Sequence, residues 1–379
     1  MKKAFLWLKK EPMVTLAAVA ALAGLFITPP TKALLTQIDW RTLGTLLMML
    51  CVLEGFKQEN VLRPVVNLAG RLSSMTAMTL FLVFGVFFSS MFVTNDVSLL
   101  IFVPLTILLF RAAEQERYIL PVISMENIAA VRGSLLMPFG SPQNLFIYGQ
   151  SGVSVWKFML HMLPICAMSG VLLVCFILIL YRKNLRQRVV CDPRSLPETA
   201  KGWRRWMYLA LFALILLVIV TRTRLWPAAL AVVLAVIVIA DRRLFLKVDN
   251  ALLFTFLCFF VFSASIAGNP AIAGFLEKSV AGREYWWGIG LSQVISNVPA
   301  SIVLYPFTKN LAGLIYGVDT AGLCSIIGSL ASVINYRIYV REYPGRGRQF
   351  LKVFTLVSWA FFLLVVIPGL LLSRWDFFA

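Results

Sequence analysis

From Met13 to Leu372 the chain is a succession of apolar runs that charge scarcely interrupts. Met13–Thr28, Leu209–Val220, Ala228–Ala240 and Val353–Leu372 are nearly free of ionisable residues. A helix needs about 20 mostly apolar residues to cross the hydrocarbon core of a bilayer. Runs of this kind predict an all-α polytopic membrane protein whose main solvent is lipid. Composition points the same way. Of 379 residues, 60% are hydrophobic and 14% charged, against the roughly 25% charge with which a water-soluble domain covers itself.

The spans are read at approximately 13–31, 38–56, 118–149, 157–181, 206–221, 225–240, 249–267, 311–340 and 350–373, about nine in all. Two further segments, 75–111 and 284–310, have two apolar arms around a polar centre and read as re-entrant hairpins. The net charge of +18 could suit a nucleic acid. The basic residues lie between apolar runs, however, where they orient spans instead, and no nucleic-acid partner is expected. With the N-terminus in the cytoplasm and each hairpin returning to its own side, 25 of the 35 Lys and Arg residues fall in cytoplasmic segments. That bias expects a bacterial inner-membrane protein with a cytoplasmic N-terminus and an outside C-terminus. Lys2, Lys3, Lys9 and Lys10 precede the first apolar run, and no small-residue cleavage site precedes Pro29-Pro30. They read as the flank of an uncleaved first helix.

Cys51, Cys166, Cys175, Cys191, Cys258 and Cys324 form no CxxC pair, and His161 is the sole histidine. The cysteines read as small core residues, and no cofactor is expected. The absence of HExxH, GxSxG and any clustered catalytic pair argues against an enzyme.

The polar stretch 182–205 divides the chain near its middle, and the halves on either side resemble each other. Ile38-Asp39-Trp40 opens a span ending near Gly55, and Val248-Asp249-Asn250 opens one ending near Gly268. Each is followed by an amphipathic stretch, a hairpin, a glycine-interrupted span and a final span. The expected organisation is a first repeat over 1–181, with hairpin 75–111 and broken helix 118–149. A cytoplasmic linker over 182–205 leads to a second repeat over 206–379, with hairpin 284–310 and broken helix 311–340. Opposite chain directions make the pair an inverted repeat, an arrangement that puts a transport site at the midplane.

Four polar clusters interrupt the apolar sequence, two in each half. They are Thr94-Asn95-Asp96; Gly140-Ser141-Pro142-Gln143-Asn144; Ser296-Asn297-Val298-Pro299; and Gly328-Ser329-Leu330-Ala331-Ser332. Unpaired backbone groups in hydrocarbon cost several kcal/mol each, so a break in a helix must face protein or a polar cavity. Freed carbonyls coordinate cations, and the N–H groups at half-helix N-termini attract anions. The bland alternative is that Asn, Ser and Thr glue helices together; four clusters in matched order favour the site.

Val93-Thr94-Asn95-Asp96-Val97-Ser98-Leu99-Leu100, Gly140-Ser141-Pro142-Gln143-Asn144-Leu145 and Ser296-Asn297-Val298-Pro299-Ala300 resemble the first hairpin, first broken helix and second hairpin of the ion transporter superfamily. That group holds citrate transporters, arsenite/antimonite permeases, sodium/proton antiporters and divalent anion/sodium symporters. The resemblance implies an elevator-like carrier of a small inorganic or carboxylate anion, coupled to sodium or protons. It implies one cation site at Thr94, Asn95 and the Gly140–Asn144 break. A second would lie at Ser296, Asn297 and the Gly328–Ser332 break, with substrate between the tips. Sodium ligands would come from Thr94, Asn95, Asp96, Asn144, Ser296 and Asn297. Relatives often form homodimers through the scaffold, and this sequence carries no interface signal of its own. The chain departs from the sodium-coupled dicarboxylate pattern of Ser-Asn-Thr at both tips: Asp96 and Val298 stand third, and Ser332 replaces an expected Asn.

Asp96 is an intramembrane carboxylate and by default a functional candidate, here the expected carrier of the coupling cation. Arg132 reads as pairing with a carboxylate such as Glu126 or snorkelling toward the cytoplasm. His161 reads as interfacial, and Tyr285-Trp286-Trp287 as an aromatic belt. Competing functions are cation/proton antiport, arsenite efflux and, in a different class, an ion channel.

Overall fold

The computed structural model describes residues 12–28, 36, 38–59, 61, 72, 74–182, 202–221, 223–248 and 250–375. The N-terminal lysines, Cys191, Asp249, most of the first amphipathic stretch and most of the linker lie outside the described residues.

The described chain is helical throughout its ordered elements. The helices are α1 Pro12–Ile27, α2 Trp40–Gln58, α3 Met75–Val93, α4 Asn95–Ala112, α5 Ile119–Gly133, α6 Pro142–Ser151, α7 Val155–Leu180 and α8 Trp203–Thr221. They continue as α9 Trp226–Asp241, α10 Asn250–Ala267, α11 Pro270–Val280, α12 Glu284–Ile295, α13 Asn297–Leu304, α14 Leu311–Ala321, α15 Leu330–Glu342 and α16 Gly347–Ser373. Each expected span contains helix. Among the described residues, six helices are individually long and apolar enough to cross a bilayer: α3, α4, α7, α8, α10 and α16. Large apolar side chains such as Val171, Leu217, Phe254 and Leu356 stand exposed on them. Water would penalise such a surface and lipid does not.

Capping chemistry starts several helices. Asp39 accepts from Thr42 N at the head of α2, Ser154 from Lys157 N at α7, and Asn310 from Gly313 N at α14. Each satisfies a backbone donor that has no partner in its own helix.

The helices sort into two groups. In the larger, α3, α4, α5 and α7 pack together, α12, α14 and α16 pack together, and α15 and α16 join the two sets through α4, α5 and α7. In the smaller, α1 lies along α10, and α2 packs on α8, α9 and α10. The groups meet where α10 touches α13 and α2 touches α6.

The hairpins differ in length. The arms of the second, α12 and α13, have 12 and 8 residues, which at 1.5 Å per residue is too short to cross. The arms of the first, α3 and α4, have 19 and 18 and are of spanning length. The helix breaks also begin earlier than expected. They run from Ser134 to Ser141 and from Gly322 to Ser329, so that Pro142, Gln143, Asn144, Leu330 and Ser332 start the second half-helices. Pro138 drives Met137 away from helical geometry, but the first half-helix stops sooner. A Cβ on Gly133 would lie 2.0 Å from Phe87 O, so α3 is packed against the very end of α5.

Two side-chain expectations are corrected. His161 is buried, edge-on to Tyr316, because α14 covers its end of α7. Tyr285 is also buried, donating to Val366 O at 2.8 Å, and only Trp286 of the three aromatics is exposed.

Candidate functional site

The two hairpin tips have the same backbone. Thr94 sits at φ 69°, ψ 155° and Ser296 at φ 70°, ψ 160°. For residues with a side chain these angles are sparsely populated and cost on the order of 1–3 kcal/mol each. Each tip is held to the break in its own half by one bond: Asn95 N–H donates to Gly140 O and Asn297 N–H to Gly328 O, both at 3.3 Å. The residues that follow those glycines also match, Ser141 at φ −147°, ψ 152° and Ser329 at φ −148°, ψ 140°. The glycines are required by space. A Cβ on Gly140 would meet Ser134 O at 2.4 Å, and one on Gly328 would meet Ala321 O at 2.3 Å.

These contacts bring the N-termini of α4, α6, α13 and α15 to one cavity, with about 670 Å³ of empty space that includes open solvent. Of the expected site residues, Asn95, Asp96, Pro142, Gln143, Ser296, Asn297, Val298 and Ser329 line it. Val14 of α1 and Ala251, Leu252, Thr255 and Phe256 of α10 form the facing wall. Among the described residues of the lining, Asp96 alone is charged. All four helices have Ser or Thr at the N-cap, the residue types that cap well, yet none of these side chains makes a capping bond. Asn297 Nδ2 is buried with no protein acceptor.

Six expected residues do not line the cavity. Thr94 turns the tip, and its carbonyl accepts from Ser98 N and Oγ. Gly140, Ser141 and Gly328 shape the breaks. Ser332 Oγ accepts from Asn127 Nδ2 at 3.0 Å, tying α15 to α5. Asn144 faces Asp319.

Asp319, on α14, is the residue that sequence reasoning missed. It is 1% exposed. Gln143 Nε2 donates to its Oδ1 at 3.0 Å, and Asn144, with its amide nitrogen turned toward Asp319, donates to both oxygens at 3.2 and 3.1 Å. Arg132 lies within electrostatic range. Arg132 and Asp319 are also equivalent in the two breaks, each two residues before the carbonyl on which its glycine packs. The expectation for Arg132 is corrected: it neither snorkels nor pairs with Glu126. It is 1% exposed and donates from Nε to Ser169 Oγ at 3.0 Å, because α7 and α16 enclose that face of α5. Glu126 instead accepts from Thr106. The signal for Asp319 was available, since any carboxylate inside a span is a functional candidate.

Paired helix breaks and hairpin tips that meet at one cavity inside an apolar helical envelope are the architecture of a membrane transporter, and the family match below makes the chain one. The chain belongs to the citrate transporter family, whose model matches residues 4–328. It is similar to the inner membrane protein YbiR of Escherichia coli (strain K12), 31% identical over 357 residues that cover 91% of this chain and 92% of the relative. It is also similar to the uncharacterized transporter MJ0456 of Methanocaldococcus jannaschii, 27% identical over 302 residues covering 79% and 81%.

Proposed function

We propose that this transporter is a secondary carrier of a small carboxylate or oxyanion, driven by a sodium ion or a proton. The observation that carries this reading is the convergence of four helix N-termini on one cavity, with none of their Ser or Thr N-caps closed by its own side chain. A helix N-terminus holds partial positive charge, and four of them favour an anion over a neutral solute. The unpartnered Asn297 Nδ2 adds a donor. Asp96 supplies a negative side chain, alone among the described residues of the lining, and is the natural seat of the coupling cation beside that anion. The same carboxylate supports a second reading, sodium/proton antiport.

The mechanism proposed is elevator-like. The cavity lies between the hairpin-bearing group and α1 and α10, so movement of one group past the other would carry the site across. An inner membrane location, a cytoplasmic N-terminus and an inverted relation between the halves complete the proposal, supported by the Lys and Arg distribution and by the matched tips.

The test is thermal stability of the purified protein with citrate, succinate, sulfate, arsenite, sodium or lithium, each at two pH values. A bound ligand raises the melting temperature by mass action. A shift with an anion that requires sodium or low pH is expected. A shift with sodium or lithium alone, growing at high pH, favours the antiporter. Absence of counterflow in proteoliposomes would sink any carrier reading and leave a channel.

A further inference from the structure

A second cavity lies further along α10, with about 700 Å³ of empty space that includes open solvent. The first cavity meets α10 over 251–256, and the second meets it at Phe260, Ser263, Ala264 and Ala267. Phe256 lines the one and Phe260 the other, with ring centroids 6.4 Å apart. From the facing side Phe146 of α6 lies edge-on to Phe260 at 5.5 Å and to Tyr305 at 5.4 Å, so three rings meet at the second cavity. Asp39, the N-cap of α2, is the one charged residue among the described residues of its lining, and Tyr305 lies within electrostatic range of it. The bonds to its carboxylate come from neutral donors: Thr42 N at 2.9 Å, Thr42 Oγ1 at 2.6 Å and Gln150 Nε2 at 2.8 Å. They hold the group in place and leave its charge uncancelled. Arg41 lines a neighbouring pocket and not this one, and no ion pair to Asp39 forms among the described residues.

We propose that this cavity is a ligand site separate from the first and that it takes an organic cation of the alkylammonium class. Aromatic rings draw a cation into an apolar place, and quaternary ammonium groups are recognised in this way. The carboxylate of Asp39 supplies the counter-charge, and Ala264, Ala267, Ile302 and Pro306 supply apolar contact for alkyl groups. A small inorganic cation would lose hydration against such walls without enough oxygen to replace it, and an anion would be repelled by Asp39. The walls come from both helix groups, Asp39 and α10 on one side and α6 and α13 on the other. The bond from Gln150 to Asp39 crosses the same boundary. An occupant therefore bridges the two groups. The site stands whatever the first cavity carries; its consequence for transport, resistance to sliding, rests on the elevator reading.

Choline and 3,3-dimethylbutan-1-ol, which has the same shape without the charge, test this by calorimetry on the purified full-length protein at fixed sodium concentration and ionic strength. Choline should bind about tenfold or more tightly than the alcohol. Asp39→Asn removes the charge and keeps the start of α2, because Asn caps as well as Asp. It should lower the affinity for choline toward that of the alcohol. Phe260→Leu keeps an apolar wall without the ring and should weaken choline binding about threefold or more. Equal binding of the two probes by the wild-type protein, or no binding of choline, overturns the proposal and needs no variant to fold. Loss of choline binding in Asp96→Asn with none in Asp39→Asn puts the cation in the first cavity and also overturns it. Backbone hydrogen exchange reads the bridging: saturating choline should slow exchange in α6 and α10 together. Slowing in one of them alone removes the bridging role and leaves the binding site.

Discussion

Thr94 and Ser296 hold strained backbone at positive φ, and the glycines that receive them have little room. At Gly140 and Gly328 an added methyl would press on backbone oxygens, which cannot move aside as a side-chain tip can. Gly140→Ala and Gly328→Ala should each destabilise the protein by about 1–3 kcal/mol and abolish uptake, because the tip bonds from Asn95 and Asn297 depend on those carbonyls. Gly290, on α12, has open space where its Cβ would stand. Gly290→Ala should be neutral or stabilise by up to about 1 kcal/mol through helix propensity. Melting of the three variants in detergent checks the contrast, and wild-type stability in Gly140→Ala would show that the close approach is dispensable. Residues of this kind were legible in the sequence because Gly and polar side chains stand out in apolar runs. The partnership of Gln143 with Asp319, 176 positions apart, was not, since nothing local to Gly317-Val318-Asp319-Thr320 says which helix packs on it.

At the scale of elements, the two broken helices are joined across the molecule. Asn127 Nδ2 donates to Ser332 Oγ at 3.0 Å, and Asn335 Nδ2 to Ile123 O at 2.7 Å, so α5 and α15 are pinned side by side. A double-mutant cycle with Asn127→Ala and Ser332→Ala should return a coupling of about 0.5–1.5 kcal/mol, the net worth of a buried neutral hydrogen bond. Strictly additive losses would mean that the two side chains act separately. Helix existence was readable from apolar run length, and the turns at Thr94 and Ser296 from the polar clusters around them. The true ends were not. Ser134 through Met137 continue an apolar pattern that a lone helix would accept, and tertiary contacts end α5 before them.

For the whole molecule the decisive question is whether the two helix groups move. Ser263 Oγ on α10 donates to Ile302 O on α13 at 3.0 Å, directly across their boundary. With the native cysteines replaced, Ser263→Cys and Ile302→Cys bridged by a short thiol cross-linker should leave ligand binding within about twofold while stopping transport, with recovery on reduction of a cleavable linker. Undiminished uptake by the fully cross-linked protein would rule out sliding at this boundary.

What the sequence determined by itself was everything that depends on the solvent. Runs of apolar residues must lie in lipid, their backbone must be helical there, and any polar interruption must be shielded or used. That reasoning reached the all-helical membrane class, the clusters at Thr94–Asp96 and Ser296–Val298, and the glycines of both breaks. Only the tertiary structure decided which side chains face the cavity and which face each other. Asn144 and Ser332 proved to be structural partners of Asp319 and Asn127, Arg132 and His161 proved to be interior, and Asp319 came to stand behind Gln143. The physical reason is that hydropathy is summed along the chain, whereas a hydrogen bond is made or missed within a few tenths of an ångström by groups that packing brings together.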